Sequence, residues 1–146
     1  MTNIDLNSDM GERPAALQDG SEEELMRWIT SANIACGGHA GNEETMELTV
    51  RLAVKYGVGV GAHPGFPDRI NFGRLKMSLS PDEIRSTVYE QVRALAIAAK
   101  KAKADLVHVK PHGALYNVAA KSAAVASAVS DGVAKWSRDL ILVGLA

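Results

Sequence analysis

Short apolar runs alternate with longer stretches of helical periodicity along this chain. Five runs have the length of strands: 4–9, 30–36, 58–62, 105–110 and 140–145. Between them, apolar residues recur at helical spacing over about 21–28, 43–56, 81–102 and 121–136. The order β-α-β-α-β-α-β-α-β predicts an α/β fold with a parallel sheet, because parallel neighbours need crossovers of helical length.

Polar residues at the ends of the helical stretches predict where the helices begin. Ser21 with Glu24 and Ser80 with Glu83 have capping-box spacing, and Asn42 directly precedes the second predicted helix. The helix after Asn42 is expected to bury one apolar stripe: Met46, Val50, Ala53 and Val54. The helix after Ser80 is expected to bury a second: Ile84, Val88, Val92 or Gln91, Leu95, and Ala98 or Ala99.

Chemically capable side chains follow four of the predicted strands. In chain order they are Asp9 with Glu12, His39, His63, and Lys110 with His112. In the fourth strand, alternation also places His108 and Lys110 on the same face. Ligands of parallel α/β sheets bind beyond the carboxyl ends of the strands. A single histidine after a strand is more often structural, but four successive strands that are each followed by such side chains favour a pocket at this edge.

This set of side chains supports more than one chemistry. Without a metal, imidazole and carboxylate groups can carry out general acid–base hydrolysis. Lys110 and Arg74 can bind a carboxylate or phosphate, although Arg74 in the long loop 64–79 is equally well explained as a solvated charge. The candidate ligands of a divalent metal are Asp9, His39, His63 and His112.

Composition narrows the class of protein. The net charge of −1 argues against nucleic-acid and anionic-membrane partners. Cys36 is the only cysteine, which excludes an internal disulfide, and its small neighbours favour a buried thiol over a nucleophile. Neither a signal peptide nor an apolar run of membrane-spanning length is present. These features predict a soluble, cytoplasmic protein with a single domain over residues 1–146.

Five ordered motifs resemble the LamB/YcsF family: Asp5–Glu12, Ser31–Gly41, Gly61–Gly65, Phe72–Arg74 and Val109–Asn117. The resemblance spans essentially the whole chain. It implies a parallel β/α barrel of the glycoside hydrolase/deacetylase type. Family members continue past the fifth strand, so the barrel is expected to be incomplete here, with about five strands. The open edge of such a sheet is expected to promote self-association.

The resemblance also implies an activity, namely the ATP-dependent hydrolysis of 5-oxo-L-proline (pyroglutamate) to L-glutamate. The implied partners are the B and C subunits of 5-oxoprolinase, with ATP bound either by this chain or by a partner. Either Asp9 or His63 is expected to act as base, His112 as acid or oxyanion donor, and Lys110 or Arg74 as the group that holds the substrate carboxylate. The expected catalytic residues are therefore Asp9, His63, His112 and Lys110. The expected substrate-binding residues are Asp5, Asn7, Glu12, His39 and Arg74.

Two other functions are compatible with the same motifs. One is a metal-dependent deacetylase or a glycosidase-like hydrolase on the same barrel, for which a tightly bound zinc or manganese ion would be expected. The other is a non-catalytic subunit whose pocket only binds a ligand. Turnover with all partners present would indicate an enzyme subunit, whereas ligand binding without turnover would indicate a non-catalytic subunit.

Overall fold

A computed structural model describes residues 4–145 of the chain as a parallel sheet flanked by helices. The strand order follows the chain, β1-β2-β3-β4-β5, and every neighbouring pair is parallel. The strands are β1 Asn7–Met10, β2 Ser31–Ala35, β3 Gly59–His63, β4 Leu106–Val109 and β5 Ile141–Leu142. This sequential order is that of a β/α barrel, in which each crossover returns to the adjacent strand. The predicted α/β class with a parallel sheet of five strands is confirmed.

Within residues 4–145, six helices accompany the sheet: α1 Pro14–Gln18, α2 Ser21–Met26, α3 Glu43–Tyr56, α4 Pro81–Lys101, α5 Gly113–Ala119 and α6 Ala123–Trp136. The sequence predicted four of them and missed α1 and α5. Both missed helices have seven residues or fewer, which is too short for a clear helical period. α5 begins directly after His112, and the Ala114 amide at its start donates to the Gly73 carbonyl over 3.0 Å.

Helix capping agrees with the sequence at two of three predicted positions. The capping boxes of Asn42 and Ser80 are both formed, and each side chain accepts a hydrogen bond from the backbone three residues later. The capping box predicted at Ser21 is wrong, because Gly20 is the N-cap and Ser21 is already helical. α1 ends directly before this point, so the chain turns between the two helices at Gly20, whose φ of 81° favours glycine.

The outer face of the sheet packs against the helices and forms the apolar core. Met10, Ile34, Ala62 and Val109 pair across four strands in one row, and all are buried. The predicted α4 stripe is confirmed, and both members of each open pair are buried: Ile84, Val88, Gln91, Val92, Leu95, Ala98 and Ala99. On α3 the prediction for Val54 is wrong, since 46% of this residue is exposed. The buried face of α3 includes two threonines instead, Thr45 and Thr49.

The inner face of the sheet is polar and lies beneath the strand ends. Asp9, Asn33, Gly61 and His108 pair across β1 to β4 in the row next to the apolar one. The Asn33 amide donates to Asp9 Oδ1 over 2.8 Å, and Asn33 Oδ1 is 2.6 Å from His108 Nε2. Gly61 leaves room for the imidazole, because a Cβ there would lie 2.1 Å from His108 Nε2. A hydrogen-bonded layer therefore ties together the strands that carry the candidate site.

The fifth strand is an exposed edge of the sheet. Ile141 and Leu142 are 61% and 40% exposed, and β5 is shorter than the apolar run that predicted it. Within residues 4–145, each helix is either too short or too polar to cross a bilayer.

Candidate functional site

The carboxyl ends of β1 to β4 bring an acid and three imidazoles together. Glu12 Oε1 lies 2.8 Å from His39 Nε2, 3.4 Å from His112 Nδ1 and 3.8 Å from His63 Nε2. One ligand-type atom from each of these four residues lies within 4.8 Å of the other three. We call Glu12, His39, His63 and His112 the histidine–glutamate cluster. It differs from the predicted metal-ligand set in having Glu12 in place of Asp9.

The three imidazole rings are packed in a fixed arrangement. The His39 and His112 rings stack with centroids 3.5 Å apart and planes 3° from parallel. The His63 ring meets both edge-on. Glycines allow this close packing, because a Cβ at Gly65 or Gly73 would lie 2.9 or 2.8 Å from atoms of His39. The side chains of the cluster are therefore held in place by the backbone that surrounds them.

Backbone carbonyls determine which nitrogen of two of these rings carries the proton. His63 Nδ1 lies 2.6 Å from the Lys110 carbonyl oxygen, and His112 Nε2 lies 2.8 Å from the Phe72 carbonyl oxygen. Because a carbonyl oxygen only accepts hydrogen bonds, each of these nitrogens must be the protonated donor. The other two nitrogens, His63 Nε2 and His112 Nδ1, face each other at 3.0 Å.

The long loop after β3 covers one side of the cluster. Phe72 has a φ of 55°, an uncommon left-handed conformation for a non-glycine residue, and its carbonyl reaches His112. Its ring contacts His39 and His112 edge-on. Arg74 is exposed and lies outside the cluster, with its guanidinium carbon 5.2 Å from the Phe72 ring centroid. The loop therefore brings Phe72, rather than the predicted Arg74, against the imidazoles.

Asp9 and Lys110 form the accessible rim of the site. Lys110 Nζ donates to Asp9 Oδ1 over 2.9 Å, while Asp9 Oδ2 lies 3.4 Å from His63 Nε2, which is long for a hydrogen bond. The Asp9 and Lys110 side chains are 38% and 24% exposed, against 1% for His63. A ligand that arrives from solvent therefore meets the ion pair and the partly exposed Glu12 before it meets the rings.

The environment shifts the pKa values of Asp9, His39 and His112. Burial alone would raise the pKa of Asp9, but its polar contacts with His63, Lys110 and Asn33 hold that pKa well below its usual value. Burial lowers the pKa of His39 despite the opposing hydrogen bond to Glu12. Burial, reinforced by His39, also lowers the pKa of His112 to about 4.

The structure does not bring every predicted residue to the cluster. Asp5 accepts hydrogen bonds from the hydroxyls of Thr30 and Ser31, at 2.5 and 2.7 Å. Asn7 exchanges hydrogen bonds with the Asn33 amide. Both predicted residues therefore brace the start of β1 against β2 instead of joining the carboxylate and imidazole groups at the strand ends.

Two buried polar residues that hold the site were missed by the sequence reasoning. Both carboxylate oxygens of Glu22 accept from the Gly11 amide, at 2.9 and 3.0 Å, directly before Glu12. The Gln91 side chain accepts from the Gly65 amide over 3.0 Å and donates to the Gly65 carbonyl over 2.8 Å. The sequence offered a signal for Gln91 only, as a polar residue on an apolar stripe.

Cys36 is close in sequence to His39 but is not part of the reactive set. Its side chain is buried, and burial raises the pKa of the thiol to about 12. A thiol with this pKa stays protonated at neutral pH, and the thiolate is the nucleophilic form. The prediction of a buried thiol is confirmed.

Comparisons with known proteins agree on one family. The sequence profile of the LamB/YcsF family matches residues 4–146. The 5-oxoprolinase A subunit of Chloroflexus aurantiacus is 51% identical over 146 residues, which is 100% of this chain and 58% of the relative. The 5-oxoprolinase A subunit of Methylococcus capsulatus is 55% identical over 141 residues, covering 97% of this chain and 54% of the relative.

A solved structure gives the same result for the fold. The lactam utilization protein of Thermus thermophilus superposes with a TM-score of 0.93 and 44% sequence identity. The match covers 99% of this chain and 58% of that protein. The chain therefore spans somewhat more than half the length of the relatives that it matches.

Proposed function

Because the chain belongs to the LamB/YcsF family, we propose that it acts as the A subunit of an ATP-dependent 5-oxoprolinase. The reaction opens the lactam of 5-oxo-L-proline by adding water across the C–N bond, so that the carbonyl carbon gains the hydroxyl and the nitrogen gains a proton. The observation that carries the proposal is the cluster at the strand ends, which lies within the span shared with relatives that are named as 5-oxoprolinase A subunits.

The accessible rim suits recognition of a small anionic lactam. We propose that Lys110 binds the substrate carboxylate, because its ammonium group is partly exposed and lies beside the cluster. Arg74 is the less favoured of the two predicted cations, since the Phe72 ring separates it from the imidazoles. Asp5 and Asn7 act in this proposal by bracing β1, and so keep Asp9 in position.

The proposal assigns the proton transfers to Asp9 and His112. Asp9 is the most exposed carboxylate of the site and is ionised at neutral pH, so it is placed to accept a proton from the attacking water. His63 is the alternative base, but its side chain is only 1% exposed. His112 donates from Nε2 to Phe72, so it would act as an acid or oxyanion donor only after Nδ1, which faces Glu12, has taken up a proton.

Hydrolysis of a stable amide is expected to need the B and C partner subunits and the energy of ATP. We place the reaction in the cytoplasm, where ATP is supplied. Whether ATP binds this chain or a partner is decided by measuring nucleotide binding to the isolated chain and to the three-subunit mixture. Retention of ATP by the chain alone would assign the nucleotide site to it.

The test of the proposed function is ATP-dependent glutamate formation from 5-oxo-L-proline in a three-subunit mixture. The chain and a full-length relative are assayed side by side with the partners. His112→Ala and Lys110→Ala are expected to reduce turnover at least 100-fold. Lys101→Ala is the matched control for Lys110→Ala, because Lys101 pairs with Glu43 and Glu47 on the surface of α3. Unchanged turnover in His112→Ala would remove this histidine from the mechanism.

A second candidate function is a metal-dependent deacetylase or a glycosidase-like hydrolase on the same barrel. The observation that favours it is the set of three imidazoles and one carboxylate within 4.8 Å. Release of acetate or sugar from acetylated or glycosidic substrates, without ATP and with sensitivity to chelators, would support this alternative. Ligand binding without turnover, with all partners present, would instead indicate a non-catalytic binding role.

A further inference from the structure

Two imidazoles of the cluster face each other through nitrogens that carry no proton in their neutral forms. His63 donates from Nδ1 to the Lys110 carbonyl, and His112 donates from Nε2 to the Phe72 carbonyl. The remaining nitrogens, only 3.0 Å apart, therefore present two lone pairs to each other. Glu12 Oε1 adds further negative charge at 3.4 and 3.8 Å from these nitrogens. Such an arrangement requires something electropositive among these atoms.

We propose that the histidine–glutamate cluster binds one divalent transition-metal ion of the Zn²⁺ type, held by Glu12, His63 and His112. The inference goes beyond the proposed function, because it concerns binding and needs neither substrate nor partner subunits. A zinc-type ion between these atoms would remove the repulsion between the facing lone pairs. Its ligands would come from the end of β3 and from the turns that follow β1 and β4.

The spacing of the three ligand atoms fits a tetrahedral ion. Ligands about 2.1 Å from a tetrahedral ion lie about 3.4 Å from one another. The separations are 3.0 Å for His63–His112, 3.4 Å for Glu12–His112 and 3.8 Å for Glu12–His63. These values bracket the tetrahedral distance, so the three atoms are spaced for a common ion.

The hydrogen bonds behind the rings are those that metal-bound histidines make. A ligating histidine usually donates its other ring N–H to a carboxylate or a backbone carbonyl, which fixes the ring and its tautomer. His63 and His112 both do so, through Lys110 and Phe72. His39 Nδ1 is buried and has no hydrogen-bond partner among the described residues. Because a carboxylate only accepts hydrogen bonds, His39 Nε2 donates its proton to Glu12 over 2.8 Å, so His39 orients the carboxylate and is not itself a ligand.

An extra proton shared by the rings is the competing explanation. A proton between His63 and His112 would also relieve the facing lone pairs, but it would place an imidazolium among buried groups. Glu12 Oε1 lies 3.4 Å from His112 Nδ1 and 3.8 Å from His63 Nε2. Both distances exceed the usual hydrogen-bond range, so Glu12 is spaced for a common ion and not for a hydrogen bond to a shared proton.

The ligand types select the class of ion. Two imidazoles and one carboxylate suit Zn²⁺ and related transition metals, whereas Mg²⁺ and Ca²⁺ prefer six or more oxygen ligands. Asp9 lies beside the site, with Oδ2 3.4 Å from His63 Nε2, but its other oxygen is held by Lys110. We therefore place Asp9 next to the ion and not among its ligands.

The test is calorimetric titration of Zn²⁺ into the purified full chain after treatment with a chelator, with Mg²⁺ as the comparison ion. We expect one Zn²⁺ per chain, no displacement by excess Mg²⁺, and a Zn²⁺-dependent rise in melting temperature. His63→Ala and His112→Ala are expected to weaken binding at least 100-fold. The matched control is His108→Gln, because His108 is a buried histidine of the same sheet that bonds Asn33 outside the cluster. This control is expected to bind within about threefold of the parent.

Circular dichroism of each variant separates loss of binding from loss of folding. If His63→Ala fails to fold, Glu12→Gln replaces it, since the Glu12 side chain is 18% exposed and the substitution keeps its shape. No Zn²⁺ binding to the folded parent would overturn the proposal, as would equal binding by the parent and Glu12→Gln. Histidine ¹⁵N spectra that show an imidazolium and no response to Zn²⁺ would establish the shared proton instead. None of these outcomes depends on 5-oxoproline turnover.

Discussion

Gln91 offers the sharpest test of how the scaffold holds the site. Its amide lies in the core face of α4 and makes both hydrogen bonds of the Gly65 backbone, to the N–H at 3.0 Å and to the carbonyl at 2.8 Å. Gln91→Leu keeps a similar size but leaves two buried backbone groups without partners. Each such group costs about 1–3 kcal/mol, so we expect the free energy of unfolding to fall by about 2–6 kcal/mol. This is a large share of the roughly 5–15 kcal/mol typical of a domain.

The measurement is urea unfolding followed by far-ultraviolet circular dichroism, at one protein concentration and neutral pH. Glu90→Gln is the matched control, because Glu90 is the preceding residue of α4 and is exposed. Its substitution is expected to change the unfolding free energy by no more than about 0.5 kcal/mol. Since Gly65 packs against His39, Gln91→Leu should also weaken Zn²⁺ binding. If Gln91→Leu were as stable as Glu90→Gln, the two hydrogen bonds would not hold this loop.

Three further predictions concern the inner face and the edge of the sheet. Gly61→Ala should lower the unfolding free energy by about 1–3 kcal/mol, because the new Cβ would overlap His108. Adding His108→Ala should restore part of the lost stability, and additive effects of the two substitutions would contradict this contact. Burial lowers the pKa of His108 below its unfolded value of about 6.5, so the unfolded state takes up the proton more readily. His108 should therefore lower the free energy of unfolding by up to about 1.4 kcal/mol per pH unit as pH falls below 6.5. A plot of unfolding free energy against pH should be steeper for the metal-free parent than for His108→Gln, and equal slopes would refute this prediction. The chain should self-associate through β5 in a concentration-dependent way that Ile141→Lys suppresses, and a monodisperse parent at high concentration in analytical ultracentrifugation would count against this edge.

The strand ends and the long helices were predictable because their signals are local. Apolar periodicity placed α3 and α4, and proline with a capping box placed the start of α4. The strand-end rule groups Glu12 and the three histidines with Asp9 and Lys110, because parallel strands share one carboxyl edge. The rule could not say which carboxylate approaches the rings. Asp9 and Glu12 are three residues apart, and only the left-handed turn at Gly11 decides that Glu12 reaches all three.

The roles of Asp5, Asn7 and Arg74 were harder to predict because they depend on distant partners. Asp5 meets the hydroxyls of Thr30 and Ser31, about 25 residues away in the chain. Arg74 is directed over the Phe72 ring by a loop whose course is set by hydrogen bonds to Asp68, which a single sequence does not encode in any periodic way. The residue type of a loop side chain therefore does not show whether the side chain faces a site or solvent.

The two faces of the sheet explain why the site is both rigid and accessible. The outer row of Met10, Ile34, Ala62 and Val109 packs against the helices, and this packing fixes the position of each strand along the direction of the sheet's strands. The inner row links the same strands through polar contacts, in which Asn33 joins Asp9 to His108. Displacing one strand would break contacts in both rows at once, so the strand ends keep their relative positions while Asp9 and Lys110 remain open to solvent. A rigid cluster behind an accessible ion pair is the arrangement expected of a site that must bind a small polar ligand without rearranging its own groups.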